Sequence, residues 1–189
     1  MRKAETHTTT ETSGDGLLSE KETEYFRLLE MLREFSRLFD YKEASDRAVA
    51  IVGPAFLDTL LREVLINFLV DDEREVERLL QPEGPLGTYG SRVTACYCLG
   101  LIGEIVKSDL RLVGKIRNRF AHDLYADFSD AQISGWCRAL RWHREAFAVP
   151  PDDATDRDLF QVGINQLVSH LHGVVSIARD GKRTRVRWT

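Results

Sequence analysis

Apolar residues recur at helical spacing through most of the chain, and this periodicity constrains the fold more than any other feature. Phe160, Ile164, Leu167, Leu171, Val174 and Ala178 follow one another at intervals of 4, 3, 4, 3 and 4, which is the heptad-like seam of a single helix. Near the other end Tyr25, Leu28, Leu32, Phe35 and Phe39 recur at 3, 4, 3 and 4 and mark a second stripe. Between them Leu57, Leu60, Leu61, Val64, Leu65 and Phe68 form an apolar face broad enough for the centre of a core. Alternating strand patterns are nearly absent, and "TRVRWT" at the end reads as a short extended tail. These patterns predict an all-α chain, a compact bundle of about six helices with no significant sheet. Pro54 falls inside the central pattern and predicts a kink near Ala50, whose carbonyl it crowds, or a split into two helices.

The 189 residues suffice for one domain with its own core. Residues 1–16 are polar and rich in threonine, which predicts a disordered tail. A helical domain is expected over 17–148, with Ser45 as an N-cap and further helices near 92–104, 109–123 and 129–146. The linker 149–158, "VPPDDATDRD", leads to a docking or dimerisation helix over 159–180 and a basic tail over 181–189. The loop "QPEGPLGTYGS" holds three glycines and two prolines and reads as a connector ending in a Ser91 N-cap. The alternative is an anion site at Ser91, Arg92 and the helix start.

A net charge of −4 with 30% charged residues argues against wholesale nucleic-acid binding. The longest apolar runs fall short of the roughly 20 residues that cross a bilayer, and no apolar segment follows the basic N-terminus. A cytoplasmic protein without membrane contact is expected, its three cysteines being reduced core thiols. Cys96 and Cys98 point about 200° apart on a helix, as do His170 and His172. No metal and no cofactor are expected.

The chemistry concentrates in "KIRNRFAHD", residues 115–123. Arg111, Lys115, Asn118 and His122 share a narrow polar arc of one helix, opposite Leu110, Val113, Ile116 and Phe120. Arg117 projects from the apolar side, where an unpaired guanidinium is costly. Asp58 sits in an apolar arc of its own, so a structural ion pair of Asp58 with Arg117, joined by Arg47, is one expectation. The other is a phosphate-directed site at Arg117, Asn118 and His122, although an ideal helix sets Arg117 and His122 about 140° apart. In the C-terminal cluster Arg179, Lys182, Arg183, Arg185 and Arg187 read as a solvated tail. The alternative is phosphate contact through 179–188, with Trp188 stacking on a base.

The segments "SDRAVAIVGPAFLDTLLREVLINFLV", "GPLGTYGSRVTACYCLGLI" and "KIRNRFAHD" together resemble the mannitol operon repressor family of bacteria, over roughly residues 40–145. The resemblance rests on Ser45-Asp46-Arg47, Asp58, Gly84-Pro85-Leu86, Ser91-Arg92 and the stretch from Ile116 to His122. It implies a transcriptional regulator that acts through protein contacts, as a homodimer or higher oligomer within a transcription complex. In agreement, no helix-turn-helix with clustered base-reading residues is found. Arg117 to His122 also resembles the arginine, four-residue spacer and histidine of the HEPN superfamily. That likeness implies a metal-independent endoribonuclease with Arg117, Asn118 and His122 as its catalytic residues. Leu124 stands where the toxin branch commonly has tyrosine, and Tyr125 is one position further. The primary expectation is the non-enzymatic regulator.

Overall fold

The computed structural model describes residues 20–39, 44–146, 148 and 150–186. They form eight helices: α1 (Glu20–Leu38), α2 (Asp46–Phe68), α3 (Glu73–Leu80), α4 (Tyr89–Cys98), α5 (Glu104–His122), α6 (Ala131–Arg138), α7 (Trp142–Glu145) and α8 (Asp156–Asp180). No strand occurs among the described residues, so the chain is all-α as its periodicity predicts. The expected tail over 1–16 lies outside the described residues.

Two helices make the core. Leu57, Leu60, Leu61, Val64 and Leu65 of α2 have no exposed surface, and each contributes about 2 kcal/mol by leaving water. The α8 seam of Phe160, Ile164, Leu167, Leu171, Val174 and Ala178 is buried too, packed along α2 of the same chain. A Cβ on Gly53 would stand 3.0 Å from both Ile164 Cγ2 and Phe39 Cε2, so glycine sets how closely α2 and α8 approach. α4 and α5 cover another side of α2, and α6 and α7 close the bundle against α5 and α8.

α2 runs unbroken through Pro54, so the two-helix alternative is not realised. Proline removes a single donor there, while Leu57, Leu60, Leu61, Val64 and Leu65 are enclosed on the following turns. The break of this bundle lies instead at residues 139–141, inside the helix expected over 129–146. Buried Asp109 of α5 causes it: its Oδ2 accepts the backbone N–H groups of Arg141 at 2.9 Å and Trp142 at 2.7 Å, capping a new helix start.

The boundaries of α4 also differ from expectation. Thr88, not Ser91, is its N-cap, and the Ser91 side chain accepts the Thr88 N–H in a capping box. The helix ends at Gly100, with φ of 74°. The Gly100 N–H bonds to the Tyr97 carbonyl and that of Leu101 to the Cys96 carbonyl, a Schellman motif that stops α4 before Gly103. No described helix is long and apolar enough to cross a membrane.

Candidate functional site

The chemistry-bearing side chains fall in three places around α5. The first is a buried hub on Arg92. Its guanidinium donates to Asp58 Oδ1 at 2.7 Å, to the Leu80 carbonyl at 3.0 Å and to the Gly87 carbonyl at 3.2 Å. One side chain thus joins α2, the end of α3 and the glycine-rich loop. That loop is tightly wound: a Cβ on Gly84 would collide with the Arg78 and Leu79 carbonyls, and one on Gly87 with those of Gln81 and Pro82. Its glycines therefore serve close backbone packing.

This geometry corrects two expectations. Asp58 pairs with Arg92 and not with Arg117. Arg92, only 8% exposed, is committed to Asp58 and two carbonyls, and the Ser91 hydroxyl to the Thr88 cap, so neither is free to hold an anion. The sequence did carry the signal for Arg92: it stands one turn before buried Cys96, on the core side of α4.

The second place is a cavity of about 430 Å³ between α2, the first turn of α4 and α5. Pro54, Ala55 and Val93 form its apolar wall; Arg111, Lys115, Arg117 and Asn118 line the α5 side, with Asp58 and Tyr89 opposite. The cavity explains why Arg117 is exposed despite a helical phase close to that of buried Leu110 and Val113. At its level α2 offers Pro54 and Ala55, too small to close the gap. Arg117 Nη1 donates to Asn118 Oδ1 at 3.0 Å. No carboxylate lies within ion-pair distance of Arg111, Lys115 or Arg117 among the described residues. Lys115 sits 5.9 Å from the centre of the Trp136 ring. Tyr89 donates its hydroxyl to the Leu110 carbonyl at 2.9 Å, and burial, then the Asp58 charge, holds it well above the usual phenol range. Gly114 admits that ring, since a Cβ there would stand 3.1 Å from Tyr89 Cε1. Periodicity gave no hint of the Tyr89 and Gly114 contact.

The third place is the end of α5. Arg47 donates from Nη1 to the Phe120 carbonyl, and from Nη2 to the carbonyls of Asp123 at 2.8 Å and Leu124 at 2.7 Å. A cation on the unsatisfied carbonyls of a helix C-terminus is favourable, so Arg47 stabilises the end of α5 and belongs to no Asp58–Arg117 bridge. The clamp holds out Leu124 and Tyr125, 76% and 87% exposed. His122 is exposed beside them but does not line the cavity that holds Arg117 and Asn118.

Elsewhere the basic cluster is exposed over residues 181–186, as a solvated tail requires, and it is anchored by side-chain contacts. Arg179 donates to Asn67 Oδ1 at 3.2 Å, Lys182 pairs with Asp71 at 3.3 Å and Arg185 with Asp72 at 3.1 Å. Arg183 lies over the Phe68 ring at 4.7 Å. Arg187 and Trp188 fall outside the described residues. Burial pushes the thiols of Cys96 and Cys137 up to about 12, as core cysteines require, whereas Cys98 is exposed and is not the core thiol expected. No group of three metal-ligating side chains occurs among the described residues.

No family model and no curated protein sequence matches the chain. A solved structure does: the X-ray structure of the MtlR–HPr complex from Escherichia coli, at 23% identity and a TM-score of 0.55. The match spans 79% of this chain and 98% of that one. This likeness establishes the fold, an all-helical bundle like that of the chain in the MtlR–HPr complex.

Proposed function

We propose that this chain is a regulator of the mannitol repressor type, working in the cytoplasm as a homodimer or higher oligomer through protein contacts. The observation that carries the proposal is the Arg47 clamp. Three main-chain carbonyls held by one guanidinium fix residues 120–124, so the apolar pair Leu124 and Tyr125 is displayed without further ordering entropy. Exposed apolar residues on a rigid loop suit a protein partner. The fold likeness and the sequence resemblance over residues 40–145 support the same reading. The matched structure holds MtlR together with HPr, which makes an HPr protein the first partner to try. Titration calorimetry with the HPr of the same genome is expected to give saturable heat. Leu124→Ala with Tyr125→Ala is expected to abolish it while leaving the melting temperature unchanged. Equal binding by that double variant would defeat the proposal.

A second reading keeps the HEPN-type ribonuclease, favoured by the exposure of Arg117, Asn118 and His122 together. His122 would take the proton of a ribose 2′-hydroxyl or return one to the leaving oxygen, while Arg117 neutralises the charge on phosphorus. Because the two side chains diverge on one helix, the pair would act across a two-fold axis that brings a second copy. Incubation with mixed RNA in EDTA tests it: cleavage by the wild type that His122→Ala abolishes supports this reading, and uncleaved RNA removes it.

A further inference from the structure

We infer that the cavity between α2, the first turn of α4 and α5 is the binding site of a small organic phosphate. Arg111, Lys115 and Arg117 line one cavity, and no carboxylate pairs with them among the described residues. The one acid in the wall, Asp58, is already paired with Arg92 at 2.7 Å. Three like charges facing one space repel one another, and the arrangement is relieved when a multiply charged anion enters. The first turn of α4 adds to the attraction. Thr88 takes the Ser91 N–H, and the N–H groups of Tyr89 and Gly90 have no acceptor among the described residues, so they favour negative charge at the lining. Asn118 receives the Arg117 bond on Oδ1 and keeps its amide donors for the ligand.

The size and the opposite wall decide what the anion is attached to. A space of about 430 Å³ lies within the roughly 300–1,000 Å³ of small-molecule sites. Pro54, Ala55 and Val93 give it an apolar floor. A phosphate monoester satisfies both sides, with its dianion at the three cations and its carbon body against that floor. A single carboxylate would leave most of the positive charge unanswered. Gly90 borders open space, where a Cβ would meet nothing within 4 Å, and Gly114 leaves room for the Tyr89 ring.

Glycerol 3-phosphate serves as the probe, titrated into the full chain by calorimetry at constant ionic strength. Inorganic phosphate, glycerol and a short single-stranded RNA run beside it. The expected result is saturable binding of glycerol 3-phosphate, weaker binding of inorganic phosphate and none of glycerol. Arg111→Gln and Lys115→Gln are each expected to weaken it about tenfold, the equivalent of one charge-assisted contact. Both side chains are exposed, so both variants fold, and unchanged melting curves verify this. Ala55→Phe, which fills the floor, should remove the preference for the ester over inorganic phosphate. Absence of saturable binding overturns the inference, as do equal affinities in the Gln variants or binding of RNA alone. None of these outcomes bears on the HPr titration, which reads Leu124 and Tyr125.

Discussion

Arg92 and Arg117 approach the same wall of α2 from two different helices, and the molecule uses them in opposite ways. Arg92 is enclosed, and its guanidinium meets Asp58, the Leu80 carbonyl and the Gly87 carbonyl. Arg117 opens on a cavity with Asn118 as its protein partner. The charge is the same in both places. What differs is the supply of acceptors: a buried guanidinium that meets a carboxylate and two carbonyls holds helices together, whereas one left facing open space can hold something that arrives from solution. Helical phase alone cannot tell the two apart, because phase fixes which side a residue faces and not whether a neighbour fills that side.

The most forceful way to break this contrast is Arg92→Ala. It strands Asp58, leaves two carbonyls without their donor and frees the glycine-rich loop, an expected loss of about 3 kcal/mol. At roughly 2–4 °C per kcal/mol for a chain of this size, thermal unfolding followed by circular dichroism should show a fall of about 10 °C. A wild-type melting curve would mean that the hub does not hold α2, α3 and the loop together.

Arg47→Ala is the next largest change. Three acceptors at the end of α5 lose a charged donor, and about 2 kcal/mol is expected to go with them. The distinguishing readout is local: the amides of residues 123–125 should exchange with deuterium much faster, while those of α2 and α8 remain protected. If HPr binding survives in this variant, the partner does not need a preformed loop and the clamp is a stability device alone.

How much of this was legible in the sequence follows from the same contrast. The all-α class was legible, because the seam of α8 and the apolar breadth of α2 each need only local spacing. The phase of Asp58 calls for a cation, but phase alone points to Arg117 where the fold supplies Arg92. Arg117 and Arg92 stand on different helices, and choosing between them requires knowing that α4 begins at Tyr89 and lays Arg92 on the Leu80 and Gly87 carbonyls. The break at residues 139–141 was hidden for a similar reason, since its cause, Asp109, is about thirty residues away along the chain. The cavity was invisible as well: small residues at 54, 55 and 90 read as helix or turn chemistry until three helices are placed around them. Arg111, Lys115 and Asn118 could be grouped on one arc from periodicity, yet the space they face could not.

Acidification acts on a different part of the bundle and so checks that neither arginine accounts for all of the stability. Burial, then the charge of Arg144, lowers the pKa of His143, against an opposing pull from Asp109. Burial lowers those of His170 and His172 as well. The unfolded chain protonates these rings near 6.5, so between the native values and 6.5 it binds more protons than the folded chain. Their contribution is therefore fully present above that pH and is lost as the pH falls through the window. Asp109 works in the other direction, because burial raises its carboxyl above 3.8. Melting temperatures should fall from about pH 7.5 to about pH 5.5, and His143→Gln should flatten that slope. An unchanged slope in the variant would place the titrating groups elsewhere.

The smallest expected effect on stability is the most informative about function. Arg117→Ala removes an exposed side chain whose protein contact is a single bond to its neighbour, so its stability should stay within about 0.5 kcal/mol of the wild type. The Asp58–Arg117 pairing suggested by helical phase requires the opposite, a marked loss from a stranded, half-buried acid. Denaturant unfolding at equal slope decides between them. A near-neutral result in Arg117→Ala together with a large loss in Arg92→Ala would fix the division of labour across the wall of α2. Weakened binding of glycerol 3-phosphate by the same near-neutral variant would then show that Arg117 is kept for a ligand and not for the fold. A large loss in both variants would mean that the cavity closes in solution and that Arg117 reaches Asp58 after all.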